Sequence, residues 1–98
     1  MKLYIIVLKS LSSGLKAAQA CHAMFAFTQA YPVKTKEWAE HNNIVILEAD
    51  DLPQVADLLD VLNLSSVRFH EPDLDDQLTA VCVEPAARRH VADLRLAG

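Results

Sequence analysis

The chain has 98 residues, which is room for one hydrophobic core, so we expect a single domain over residues 1–98. With 52% hydrophobic and 22% charged residues, the composition is that of a globular protein and excludes a disordered one. A net charge of −4 excludes strong attraction of the whole molecule to nucleic acid or to an anionic membrane.

Three further expectations follow from composition. No apolar run approaches about 18 residues and no signal peptide opens the chain, so we expect a cytoplasmic protein with no membrane contact. So high an apolar fraction is difficult to hide in a small monomer, which predicts a homodimer. Cys21 and Cys82 lie in apolar stretches, without disulfide or metal-site spacing, and are predicted to be small core residues.

The first half of the chain begins with a strand. Leu3–Leu8 is apolar without alternation, which is typical of a strand buried on both faces. Ser12 or Ser13 can cap an alanine-rich helix over about Leu15–Ala30, which Tyr31 and Pro32 end. A short helix is predicted over Lys34–His41.

The second half alternates strands and helices. Ile44–Leu47 is predicted to be another buried strand, and Asp51 caps a helix from Leu52 to about Asn63. Val67–Phe69 is a short third strand. An acidic loop over residues 70–77 then leads to a fourth strand at Leu78–Val83, and a last helix is predicted from Pro85 to about Arg95.

This order of elements predicts an α/β protein with helices on both faces of one sheet. Strands one to three are joined through helices, which implies right-handed parallel crossovers, and strands three and four can pair as a hairpin. Because Leu3–Leu8 and Leu78–Val83 are apolar on both sides, we expect the first strand to be central and the fourth to lie antiparallel beside it.

Three polar residues interrupt the alanine-rich helix: Lys16, Gln19 and His22. At about 100° per residue, they share one wide face of its N-terminal half. An amide and a cation near the start of a helix suit a carbonyl or phosphate ligand. The alternative is a solvated lysine, a surface glutamine and a core histidine, and spacing alone favours it.

The acidic loop also has two interpretations. Glu71, Asp73, Asp75 and Asp76 lie next to the end of a strand, where carboxylates can hold a metal. The loop lacks the glycine and the alternating oxygen spacing of a calcium site, so a solvated hairpin loop is favoured. Glycine occurs only at Gly14 and Gly98, which excludes a glycine-rich phosphate loop.

The segment Gly14–Ala23, GLKAAQACHA, resembles the opening of type-2 peptidyl-tRNA hydrolases, which reads roughly G-K-x-A-A-Q-x-x-H-A. The likeness runs through nearly the whole chain. It includes the segment around Trp38, a strand that leads to an acidic turn, and the threonine-bearing strand Thr79–Pro85. The resemblance implies a three-layer α/β/α fold with a four-stranded mixed sheet of order 2-1-4-3, strand 4 antiparallel.

The chain departs from that family at three places. Leu15 stands where the family has its key lysine, and Lys16 follows one position later, about 100° round the helix. The family's acid at the end of the third strand falls on Glu71, and the loop after it is shorter. Of the two threonines usual in the last strand, the second matches Thr79 and the first falls on Gln77.

The resemblance implies hydrolysis of the ester that joins a peptide to the 3′ end of tRNA, with peptidyl-tRNA as partner and no metal or organic cofactor. Such an ester needs an activated water and stabilisation of the oxyanion. We expect Gln19, His22, Glu71 and Thr79 to converge on one cleft with Lys16 at its rim. Their implied roles are water activation by Glu71 with Asp73, oxyanion or carbonyl binding by Lys16, Gln19 and Thr79, and orientation of neighbouring groups by His22.

Two alternatives stay open. The chain is either a catalytically altered or inactive relative that serves as a dimeric binding module, or a hydrolase of another small ester or amide. Leu15 and the shorter loop favour the binding module, while the retained Gln19, His22, Glu71 and Thr79 favour catalysis.

Overall fold

The computed structural model describes all residues from Met1 to Gly98. Five strands and four helices form it: β1 Lys2–Leu8, α1 Ser13–Ala30, α2 Pro32–Ala39, β2 Asn43–Ala49, α3 Leu52–Val61, β3 Ser66–Glu71, β4 Gln77–Val83, α4 Arg88–Val91 and β5 Arg95–Leu96.

The strands form one mixed sheet of order β3-β4-β1-β2-β5. Strand β1 is central, pairs in parallel with β2 and antiparallel with β4, as predicted. The predicted order 2-1-4-3 is therefore present, and the structure extends it by a fifth strand. Strand β3 pairs antiparallel with β4, so β1, β2 and β3 all run in the same direction.

The fifth strand corrects the prediction of a last helix from Pro85 to Arg95. A 3₁₀ turn over Pro85–Ala87 leads into the single turn of α4, and the chain then returns to the sheet as β5. The reason is the outer edge of β2, whose backbone groups would otherwise lack partners. Strand β5 pairs with this edge, and the Ala97 N–H donates to the Ile46 carbonyl at 3.0 Å.

Helices cover the two faces of the sheet unequally. Helix α1 lies across β1, β3 and β4 on one face, and α3 packs on the other face together with Ala87 and Val91 from the segment after β4. Residues Leu3–Leu8 are all buried, as predicted for a strand covered on both sides. In β2 the prediction was wrong for one face, because α1 packs mainly on β1, β3 and β4 and leaves Ile44 and Ile46 exposed.

Both predicted helix caps are confirmed. The Leu15 N–H donates to Ser12 Oγ at 3.3 Å, and the Gln54 N–H donates to Asp51 Oδ1 at 3.1 Å. Each bond satisfies a backbone donor that the first helical turn leaves free. Helix α2 begins at Pro32, two residues before the predicted start, and places Trp38 in the core.

The two cysteines differ in environment. Cys82 is buried in the sheet, as predicted, and burial raises the pKa of its thiol to about 12. The prediction for Cys21 was wrong, because this residue lies on the outer side of α1 and is exposed. No helix of the structure has the length and apolar character needed to cross a membrane.

Candidate active site

The three polar residues of α1 point in three directions. Gln19 and Lys16 are buried, with 1% and 7% of their surface exposed, while His22 is exposed. The Gln19 side chain is bonded to β4, the His22 ring lies on β3, and the Lys16 ammonium is bonded to β2. A surface glutamine and a core histidine, the alternative that spacing favoured, are therefore not what the structure has.

Gln19 and Thr79 form the buried polar centre of this face. The Thr79 hydroxyl donates to Gln19 Oε1 at 2.7 Å, across 60 positions of sequence. The Gln19 amide nitrogen donates to no other side chain, and only 1% of the residue surface is exposed. The hydroxyl fixes the oxygen end of the amide and leaves the N–H donors free for another acceptor.

A β-bulge places Thr79 on the α1 side of the sheet. Phe69 pairs with Ala80 and His70 pairs with Leu78, so Thr79 is an extra residue without a partner on β3. Leu78 packs on the α3 side and Ala80 on the α1 side. With regular alternation, Thr79 would face α3 together with Val81; the bulge turns it toward Gln19 instead.

His22 lies flat against Phe69 of β3. The ring centroids are 4.7 Å apart and the rings are inclined by only 15°, so the two rings are stacked. Phe69 is half-buried and packs against the core beneath α1, whereas His22 is exposed. The pair forms an aromatic surface at the solvent boundary.

Glu71 ends β3 at the same edge of the sheet. It is half-buried, pairs in register with Gln77, and its carboxylate takes part in no ion pair. Because side chains alternate along a strand, Glu71 shares the face of Phe69, the α1 face. The carboxyl end of β3 and the amino end of β4 meet here beside the first turns of α1, so the topology brings Glu71, Thr79 and Gln19 to one edge.

Asp73 and the rest of the acidic loop form a tight hairpin connection. Asp73 is exposed in a 3₁₀ turn over Pro72–Leu74. Asp75 and Asp76 have φ angles of 54° and 58°, in the left-handed region that aspartate tolerates better than most residues. The Asp76 N–H donates to the Glu71 carbonyl at 3.0 Å and closes the turn. These contacts match the hairpin interpretation of the loop.

Lys16 is held away from the Gln19–Thr79 pair. Its Nζ donates to Glu48 Oε1 at 2.9 Å and to the Gly98 carbonyl at 3.2 Å. The hydrogen bond from Lys16 lowers the pKa of the Glu48 carboxyl below its ordinary value. The ammonium lies above β2, next to a cavity of about 170 Å³, rather than above β4.

Leu15 takes the helical position that points toward Gln19. It lies one turn before Gln19 and is 43% exposed. None of the five surface cavities is lined by Gln19, His22, Glu71 or Thr79. The four residues thus share an edge and a face of the sheet without enclosing a pocket there.

Sequence reasoning missed two residues of this region, Glu48 and Phe69. Glu48 is the only acid within the apolar segment Ile44–Ala49, a pattern that could have marked it as a partner for a buried cation. Phe69 had no such signal, since an aromatic residue in a strand is ordinary.

Comparison of the chain with known protein families and with curated proteins finds no match. Assignment of a function therefore depends on the residues and their geometry.

Proposed function

We propose that the chain is a hydrolase of the type-2 peptidyl-tRNA hydrolase kind, which cleaves the ester between a peptide and the 3′ end of tRNA. The observation that supports this most is the buried Gln19–Thr79 hydrogen bond. It joins the two segments that carry the resemblance, the helix motif Gly14–Ala23 and the strand Thr79–Pro85. A buried polar pair has no packing advantage over two apolar residues, so its presence favours a chemical role.

In the proposed mechanism, Glu71 orients a water molecule and accepts its proton as the water attacks the ester carbonyl. The tetrahedral intermediate then breaks its bond to the 3′ oxygen of tRNA, and Glu71 returns the proton to that oxygen. Its carboxylate is half-buried and engaged by no cation, which leaves both oxygens available. Asp73, two residues on in the exposed turn, assists Glu71 in orienting the water.

Gln19 supplies the donor for the developing oxyanion. Its amide nitrogen is the free end of a side chain whose oxygen is fixed by Thr79. A donor held in place before the reaction stabilises the oxyanion without reorganisation at the moment of attack. Thr79 is then a positioning residue that acts through Gln19. Lys16 is bonded to Glu48 and makes no direct contact at the site.

The His22–Phe69 stack offers a surface for the terminal base of the substrate. Stacking of a base on an aromatic ring contributes about 1–3 kcal/mol and needs no positive charge. This suits a protein with a net charge of −4. We therefore expect binding that weakens only shallowly with added salt, because few phosphates are neutralised.

The test is turnover of purified peptidyl-tRNA, with intact aminoacyl-tRNA as the substrate control. Glu71→Gln should lower turnover by on the order of a hundredfold or more while the fold is retained. Lys16→Ala should cost less. Glu37→Gln, which changes an exposed acid of α2, is the matched control and should leave turnover unchanged. Equal rates for the wild type and Glu71→Gln would remove the acid from the mechanism.

A second candidate function is a catalytically inactive binding module with the same arrangement. The observation that favours it is Leu15, an apolar side chain at the position that faces Gln19, beside a site that forms no pocket. Leu15→Lys separates the two functions. If the wild type is inactive and Leu15→Lys gains hydrolysis, the binding module is supported; if both cleave peptidyl-tRNA, the hydrolase is.

A further inference from the structure

A groove lies beside β5 on the face of the sheet that α3 covers, opposite to the face of the candidate site. Helix α3 packs mainly on β4 and β3, and the segment from Pro85 to Leu94 covers the sheet next to it. Between this segment and the strands is a cavity of about 270 Å³. We name this cavity the β5 groove.

The floor of the β5 groove is one face of three neighbouring strands. Tyr4 of β1 pairs in register with Val45 of β2, and both line the groove. Leu47 of β2 pairs with Leu96 of β5, and these two residues continue the floor. Because side chains alternate along a strand, residues two positions apart, such as Val45 and Leu47, share this face.

The groove offers aliphatic surface to a ligand. Its apolar lining includes Val45, Leu47, Val91, Leu94 and Leu96. Val91 is 2% exposed and belongs to the core, whereas Leu96 is 74% exposed. A concave apolar surface of this kind, with a few polar groups at one place, is typical of sites for small ligands.

Two cations mark one end of the β5 groove. Lys2 and Arg88 line the groove and also line an adjoining cavity of about 140 Å³, so they lie where the two cavities meet. Neither cation takes part in an ion pair, and no aspartate or glutamate lines either cavity. In a chain with 13 acidic residues and a net charge of −4, this is a local excess of positive charge, which favours an anion.

Tyr4 adds a hydroxyl at the same place. It lines both cavities and is only 7% exposed, and its hydroxyl forms no hydrogen bond within the chain. Buried tyrosine hydroxyls usually have a hydrogen-bond partner. The phenol is therefore a donor that a bound anion can engage.

We propose that the β5 groove binds a medium-chain aliphatic carboxylate. The guanidinium of Arg88 donates to both carboxylate oxygens, a geometry that its planar fork favours. The Tyr4 hydroxyl donates to one of these oxygens, and the ammonium of Lys2 adds positive charge beside them. The aliphatic chain of the ligand lies along the apolar floor toward Leu96.

The volume of the groove sets the length of that chain. A cavity of about 270 Å³ lies just below the range of about 300–1,000 Å³ that holds drug-sized ligands. It has room for about nine water-sized groups at about 30 Å³ each, which corresponds to a chain of roughly eight carbons. An uncharged molecule of this length would leave the cations and the phenol unpaired, and a shorter carboxylate would leave the floor uncovered.

Titration of the ¹⁵N-labelled full chain with octanoate, followed by heteronuclear NMR, tests this proposal. We expect a dissociation constant on the order of 0.1–1 mM, which is ordinary for a ligand of ten non-hydrogen atoms. The amide shifts should centre on Tyr4, Val45 and Leu96. Octanol lacks the carboxylate and acetate lacks the chain, so each should bind at least tenfold more weakly. Equal binding of octanol or acetate, or unchanged amides in the groove at about 20 mM octanoate, would overturn the proposal.

Three substitutions locate the carboxylate. Arg88→Gln should raise the dissociation constant for octanoate at least fivefold, because it removes the charged fork. Tyr4→Phe removes only the hydroxyl and should raise it about threefold. Arg89→Gln is the matched control, since Arg89 is the exposed neighbour of Arg88 and lines neither cavity, and it should leave the constant unchanged. Equal effects of Arg88→Gln and Arg89→Gln would contradict the proposed contact.

A fourth substitution locates the aliphatic chain. Leu96→Asp places a carboxylate over the floor of the groove and should abolish octanoate binding. The circular dichroism spectrum should stay unchanged, because Leu96 is largely exposed. Wild-type affinity in Leu96→Asp would mean that the chain does not lie in the β5 groove. None of these outcomes depends on hydrolase activity, since Gln19 and Thr79 lie on the other face of the sheet.

Discussion

Helices α1 and α3 pack on opposite faces of one sheet and distribute their side chains in opposite ways. Helix α3 buries Leu52, Ala56 and Leu59 and turns Asp57 and Asp60 outward, where both carboxylates pair with Arg68. Helix α1 buries Lys16 and Gln19 among small apolar residues and turns uncharged side chains toward solvent.

The two helices differ in what explains their side-chain pattern. The pattern of α3 is that of an ordinary amphipathic helix, and burial of its apolar stripe explains it without any functional role. The pattern of α1 contradicts that rule twice, once by polar groups on the inside and once by apolar groups on the outside. Natural sequences keep such violations mainly at functional sites, which agrees with the place of the proposed site beside α1.

The largest effect is expected from the ordinary core of α3. Leu59→Ala should lower the free energy of unfolding by about 2–5 kcal/mol, because it leaves a cavity where the side chain is 1% exposed. Leu58→Ala, its neighbour at 48% exposure, should cost far less. Urea denaturation of both variants measures the difference, and similar losses would contradict the packing described for α3.

A smaller loss is expected at the polar centre under α1. Thr79→Val should cost about 1–3 kcal/mol, because it leaves buried Gln19 Oε1 without its donor. Thr79→Ser keeps the hydroxyl and should retain most of the stability. The double variant Gln19→Leu, Thr79→Val removes both partners and should be more stable than the sum of the two single changes predicts. Additive losses in a double-mutant cycle would show that the bond is not formed.

The third prediction concerns pH and the anchor of α1 on β2. The bond from Lys16 lowers the folded-state pKa of Glu48 from its ordinary value of 4.5. Because its pKa is lower in the folded state, the ionised Glu48 carboxylate stabilises the fold above about pH 4.5. This stabilisation is lost as the pH falls through the folded-state pKa of Glu48. The free energy of unfolding should therefore decline on acidification below about pH 4.5, and the decline should be shallower in Glu48→Gln. If the free energy of unfolding of Glu48→Gln declines as steeply as that of the wild type, groups other than Glu48 cause the acid sensitivity.

The smallest effect is expected at the outer side of α3. Arg68→Ala breaks two ion pairs of 2.9 Å with Asp57 and Asp60, but both carboxylates are more than half exposed. Exposed pairs contribute about 0.2–1 kcal/mol, and salt weakens them. Thermal melts of the wild type and Arg68→Ala should converge at high salt. A loss above about 2 kcal/mol would mean that this face is more buried than the structure has it.

Much of the fold was predictable because its signals are local. Leu3–Leu8 has no polar residue and had to be covered on both faces, which made it central. Ser12 and Asp51 are capping residues directly before helices, and both caps form. The prediction of burial was wrong for Ile44 and Ile46, because an apolar segment does not show whether a helix will pack against it.

The candidate site was predictable only in part. That Gln19, Glu71 and Thr79 share one edge followed from the direction of the strands, which the order of elements implies. The direction of the Lys16 side chain did not, because its partner Glu48 is 32 positions away and is found only once β2 is placed beside β1. Cys21 was predicted to lie in the core because its neighbours in sequence are apolar, but it is exposed on α1.

The sequence by itself determined the identity of most elements and the central place of β1, since strand and helix periods and caps depend on neighbouring residues. Tertiary structure alone decided three features: the bulge that turns Thr79 toward Gln19, the anchoring of Lys16 on Glu48, and the return of the chain as β5. Each of these depends on a partner far along the chain. A β-bulge is defined by the partner strand, because it is an extra residue that has no partner there. The edge of β2 offers unpaired backbone groups to β5 only after the sheet has formed.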